Sequence, residues 1–192
     1  MSRMSGEQRR PQIAQAALKI IAEHGASGFT TRALAQEVGL AEGTIFRHFD
    51  TKEDIIRAAI EHLEEILAED LTTSESDDPV ERLGRFFRRR LEIIQAHPGI
   101  VRILFSNELA HVGTARDAER IQVVKLRVRE FITARIQEAA EAGALRPGVS
   151  PEILPIIIHG TAMAMLFGVI DTDRPSGPEH AAALWNTLAT LL

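Results

Sequence analysis

With 192 residues, 45% apolar and 26% charged, the chain is long enough to bury a real core and has an ordinary globular composition. It has no cysteine, which excludes disulfides, thiolate metal sites and a cysteine nucleophile, and fits a reducing cytoplasm. The net charge of −5 divides into +1 over residues 1–60 and −6 over residues 61–192, so any case for nucleic acid must rest on placement rather than on total charge.

The opening MSRMSGEQRRPQ carries no apolar run of the secretory kind. Ile13, Ala17, Ile20 and Ile21 then mark one face of a first helix, predicted to stop at His24-Gly25 with Gly25 as a left-handed terminator. Thr30 or Thr31 is suited to N-cap a short second helix with Leu34, Ala35 and Val38 inward, ended by Gly39. A third short helix is predicted from about Glu42 to Phe49, with Ile45 and Phe49 on one face. Asp50-Thr51 opens a fourth, whose apolar face is Ile56, Ile60, Leu63 and Leu67.

The polar stretch 72–79 reads as a loop, with Asp78 and Pro79 as cap and first residue of a fifth helix. That helix carries Val80, Leu83, Phe87, Leu91 and Ile94, and its Arg88-Arg89-Arg90 run is predicted to be a solvated face paired with Glu81 or Glu92. A sixth helix spans about 99–108, and a long seventh holds Ile121, Val124, Val128, Phe131 and Ile136 before Gly143 and Pro147-Gly148. The eighth covers about 151–171, a turn follows at 173–179, and a last helix ends at Leu192. No segment alternates with the period of a strand. The fold class is therefore all-α, with about nine helices.

Residues 153–170 are 18 long and nearly uncharged, the lower limit for a membrane span. Pro155, His159, Thr161 and the lack of a flanking basic cluster favour a helix buried against a partner subunit instead, with no membrane.

The short helices 31–38 and 42–49, joined by Gly39-Leu40-Ala41, have the form of a helix-turn-helix. Such a pair is too short to stand alone and needs the first and fourth helices to cover Leu34, Val38, Ile45 and Phe49. In this unit the second helix enters the major groove.

The stretch GFTTRALAQEVGLAEGTIFRHFDTKEDII, residues 28–56, resembles the signature of the tetracycline-repressor (TetR) family. The similarity is strong over residues 12–56 and is one of helix pattern alone beyond. It implies a helix-turn-helix domain over 1–55 and an effector-binding and dimerisation domain over 56–192. By resemblance, Thr31 contacts phosphate and Arg32 contacts base or backbone. Glu42, Gly43 and Thr44 open the recognition helix. Phe46 makes a flat apolar contact, Arg47 and His48 point outward, and Lys52 clamps phosphate. Two positions depart from the family pattern. Phe46 stands where tyrosine is frequent and lacks its phenolic hydrogen bond. Ala41 stands where a serine or threonine cap is frequent, at about 1 kcal/mol of local capping.

The resemblance also implies a ligand cavity among helices four to eight. Phe86, Phe87, Leu104, Phe105, Met163 and Phe167 are its candidate lining, with Asn107, His111 and His159 as polar anchors. The last two helices are implied to form a dimer interface. Gly160, Ala164 and Gly168 make a small-residue stripe there, joined by Ile153, Ile156 and Ile157 and by Leu184, Trp185 and Leu188. The expected partners are a homodimer's second copy, a palindromic double-stranded operator with half-sites about 34 Å apart, and a small apolar or amphipathic effector. No metal or cofactor is expected. No nucleophile elbow, HExxH, phosphate loop or dinucleotide fingerprint suggests an enzyme. The expected function is a cytoplasmic ligand-released repressor. The alternatives are an activator or a ligand-independent DNA-organising factor of the same fold.

Overall fold

The computed structural model describes residues 6–72, 76–97, 99–105, 112–166, 178–190 and 192. Among them are nine helices and no strand: α1 (Gly6–Gly28), α2 (Thr31–Val38), α3 (Glu42–Ile45), α4 (Lys52–Thr72), α5 (Pro79–Ala96), α6 (Gly99–Phe105), α7 (Ala115–Glu141), α8 (Leu154–Leu166) and α9 (Pro178–Ala189). No helix among the described residues is long and apolar enough to cross a membrane.

Local chemistry explains most boundaries. Thr30 Oγ1 accepts from the Ala33 amide at 3.0 Å and starts α2. Gly39 closes that helix in the left-handed region, at φ 66° and ψ 38°. Asp78 caps α5 by accepting from the Val80 amide at 2.9 Å, and Pro79 follows in the first turn. Two expectations change. α1 is broken at Gly25 but resumes to Gly28; the φ of 73° comes with an extended ψ of −177°, so Gly25 is a kink and not a left-handed cap. α3 is only four residues long. Beyond Ile45 the bonds are mixed: Arg47 N–H to Thr44 O at 3.2 Å and His48 N–H to Ile45 O at 2.9 Å are tight, while Phe49 N–H reaches Ile45 O at 3.2 Å, a turn rather than a continued α-helix.

A reciprocal box starts α4. The Asp54 carboxylate accepts from the Thr51 amide at 3.1 Å and hydroxyl at 2.7 Å, while Thr51 Oγ1 accepts from the Asp54 amide at 3.1 Å. The Thr51 hydroxyl, with Arg57 beside it, holds the Asp54 carboxyl below its ordinary value. A depressed carboxylate stabilises the fold above its unfolded-state pKa and loses that contribution as pH falls through its folded-state value. Asp54→Asn should therefore be less stable than wild type at neutral pH. Urea titrations at decreasing pH should show the difference closing in acid, and a difference independent of pH would remove the charge from the box.

The chain forms two compact units: one of Met1–Ile66 with Pro98–Val124, the other of Leu67–His97 with Lys125–Leu192. In the first, α1 packs on α2 and α6, and α2 on α3. Ile13, Ala17, Ile21, Leu34, Ile45, Ile56, Ile60 and Leu63 are fully enclosed. Arg120 of α7 grips Glu64 of α4 with two bonds, at 3.0 and 2.5 Å, and reaches Glu61 at 3.1 Å. The Glu64 bonds push the Arg120 guanidinium pKa further up, so the clamp is charged at any physiological pH.

The second unit has its own core, in which Leu83, Phe87, Leu91, Ile132, Ile136, Leu154, Ile158, Trp185 and Leu188 meet. The Phe87 and Trp185 rings lie 5.7 Å apart, and Phe86 and Phe131 4.8 Å apart. The arginine run does not form one solvated face. Arg89 pairs with Glu92 at 3.4 Å as expected, but Arg90 is only 8% exposed. Its guanidinium donates to the Leu67 carbonyl at 3.1 Å and lies over the Phe86 ring. Glu81 is taken by Ser76 and Arg85, which hold its carboxyl below the ordinary range, the Ser76 hydrogen bond most.

Candidate nucleic-acid interface

The buried face of the helix-turn-helix fixes what its other face presents. Leu34, Ala35 and Val38 of α2, Ile45 of α3 and Phe49 after it are buried. Helical geometry then leaves Arg32, Glu42, Gly43, Phe46 and Arg47 exposed, and Thr31, Thr44 and His48 half-buried. Lys52, the first residue of α4, is exposed. Phe46 is 46% exposed, a large apolar ring held out in water next to Arg47. A side chain at Gly43 would meet nothing within 4 Å, so no internal packing demands glycine there and the backbone is open to close approach from outside. All nine proposed DNA contacts belong to one compact unit.

Two contacts at this end were not read from the sequence. Lys19 of α1 pairs with Glu37 of α2 at 2.7 Å, and that bond raises the lysine pKa. Arg10 of α1 donates to the His48 carbonyl, and its guanidinium carbon sits 4.2 Å from the Phe49 ring centroid. Both arginine and lysine look like ordinary solvated charges in the sequence. Their partners lie 38 and 18 residues away.

The candidate pocket residues are less coherent. Phe86 and Phe87 are core residues of the second unit, and Leu104 is buried in the first. Phe105 is exposed. His159 and Met163 of α8 are half-buried, and desolvation lowers the His159 pKa, favouring the neutral imidazole. Asn107, His111 and Phe167 lie outside the described residues. No trio of histidine, aspartate or glutamate among the described residues is arranged to hold a metal.

Of the candidate dimer residues, Ile153, Ile157 and Gly160 are exposed, and Ala164 and Leu184 half-buried. Ile156 is 67% exposed. Trp185 and Leu188 are buried in the chain's own core, against α5, which leaves little of either to offer a second copy. Gly168 lies outside the described residues.

Known proteins share this fold. The family model for bacterial regulatory proteins of the tetR family matches residues 13–59, and a tetracyclin repressor-like C-terminal domain matches 79–167. A nucleoid occlusion factor SlmA from Marinomonas sp. (strain MWYL1) is 32% identical over 158 residues, 79% of this chain and 80% of that protein. Among solved structures, the ketosteroid transcriptional regulator KstR2 of Mycobacterium tuberculosis superposes with a TM-score of 0.77 at 18% identity, over 95% of this chain and 93% of that one. AibR in complex with isovaleryl coenzyme A and operator DNA gives 0.74 at 19% identity, over 95% and 97%.

Proposed function

Because the chain belongs to the tetR family of bacterial regulatory proteins and is therefore a DNA-binding transcriptional regulator, we propose that it acts as a dimeric repressor released from a palindromic operator by a small apolar or amphipathic ligand. The observation that carries the reading is the outward set Arg32, Gly43, Phe46 and Arg47 above the buried Ile45 and Phe49. Arg47 and Arg32 supply base or phosphate contacts, Thr31 and Thr44 hydroxyl contacts, and Lys52 a phosphate clamp. The N-terminal division, 1–55, serves the operator, and 56–192 serves effector and dimer. The exposed isoleucines of α8 supply the face for a second copy. AibR binds isovaleryl coenzyme A and operator DNA in one complex; for this chain the half-buried His159 and Met163 support a ligand that is largely apolar with one polar group.

Lys52→Ala tests the interface. It should weaken binding to all duplexes alike and reduce the slope of log affinity against log salt by about one per subunit. An unchanged slope removes Lys52 from the phosphate contacts.

A second reading is favoured by the name of the Marinomonas relative, a nucleoid occlusion factor. On that reading the chain binds many chromosomal sites and needs no effector. Chromatin immunoprecipitation separates the two: a few sites at promoters support the repressor, and sites spread along the chromosome support the DNA-organising factor.

A further inference from the structure

We propose that Arg10 is a positioning residue that sets the recognition element for DNA, a proposal that rests on the DNA-binding reading above. The α-helical part of that element ends at Ile45, after a single turn, and residues 46–49 continue it as a turn in which Ile45 O accepts from both the His48 and the Phe49 amides. So short an element cannot hold its own orientation, and while the Thr44 and Ile45 carbonyls accept from the following amides, the His48 carbonyl accepts from a side chain instead. Arg10 supplies what is missing at two consecutive residues. Its Nη1 donates to the His48 carbonyl, and its guanidinium lies over the ring of Phe49, 4.2 Å from the centroid. Both ends of this tether are fixed. Phe49 is buried, and Arg10 is followed on α1 by Ile13 and Ala17, which are fully enclosed. The segment so pinned carries Arg47 and His48 and leads within four residues to Lys52. One guanidinium therefore ties the orientation of the proposed base and phosphate contacts to α1.

The guanidinium is spent on protein groups, which separates this role from a phosphate contact. A phosphate contact tolerates lysine. A stacked, hydrogen-bonded guanidinium does not, because the ammonium has no plane to lay on the ring. The charge-conserving Arg10→Lys is thus the informative variant, with Arg10→Ala as its companion.

The first readout uses no DNA. In the free protein, the amides of Arg47, His48 and Phe49 should exchange about ten-fold faster in Arg10→Lys than in wild type, with the rest of α1 and α2 unchanged. The second uses DNA: affinity for the selected operator should fall about ten-fold, while affinity for unrelated duplex and the salt slope stay at the wild-type values. Unchanged exchange at the three amides overturns the proposal. So does operator binding at the wild-type level in Arg10→Lys combined with a slope lower by about one per subunit in Arg10→Ala, the signature of a phosphate contact. If wild type selects no DNA but the amides still loosen in Arg10→Lys, the tether stands and the repressor reading fails.

Discussion

Gly84→Val should disrupt the native packing of the second unit, with a loss of about 3 kcal/mol against the roughly 5–15 kcal/mol that keeps an ordinary domain folded. Gly84 sits in mid α5, where glycine costs about 1 kcal/mol relative to alanine, so something other than helix propensity retains it. A Cβ at this position would lie 2.3 Å from Trp185 Nε1 and 2.5 Å from Cε2. The indole has little room to step aside. It is 5% exposed, its ring lies 5.7 Å from that of Phe87, and it belongs to the same core as Leu83, Ile136 and Leu188. Any side chain at 84 therefore pushes α9 off α5. Gly84→Ala sets the sign of the effect: the helix gains about 1 kcal/mol, and the displaced tryptophan loses more. Urea unfolding should show net destabilisation by Gly84→Ala, partly recovered when Trp185→Phe makes room. Wild-type stability in Gly84→Ala would mean that α5 and α9 are not packed this closely.

The second large effect concerns assembly. Ile153 and Ile156, at 51% and 67% exposure, stand with Ile157 on one side of the start of α8 and join no core among the described residues. Replacing Ile153 and Ile156 together with glutamate should leave the subunit fold intact, because neither side chain is buried in it. It should convert the dimer to monomer, because two like charges per subunit would have to be desolvated in the interface. Operator affinity should then fall by about a hundred-fold or more, since a monomer engages one half-site. Analytical ultracentrifugation reads the first effect and operator titration the second. A dimer that survives the double substitution would place the interface elsewhere.

What the sequence made legible was local. Thr30, Asp78 and Gly39 do their work within three or four residues of themselves, so their caps could be read directly. The apolar face of α5 was legible for the same reason. Its period also held an overlooked signal: Arg90 falls three and four residues after Phe87 and Phe86, on the buried face, and was misread as solvated because it belongs to a run of three arginines. Gly84 in the middle of that apolar face was a comparable clue that a large side chain, Trp185, is received there. The length of α3 was not legible. Its tightening after Ile45 and the Arg10 tether depend on contacts between α1 and the turn after α3, and periodicity carries no trace of them. A ligand pocket is the hardest feature to read from sequence, because side chains that line a cavity have the same apolar spacing as side chains that fill one.

The central claim is that this chain reads a two-fold symmetric DNA sequence. Selection of bound sites from random duplexes at about 150 mM salt tests it most directly. The expected result is enrichment of a palindrome whose half-sites lie about one helical turn apart, near 34 Å, or a small multiple of that spacing. Recovery of duplexes with no common sequence, at an affinity set by salt alone, would contradict it.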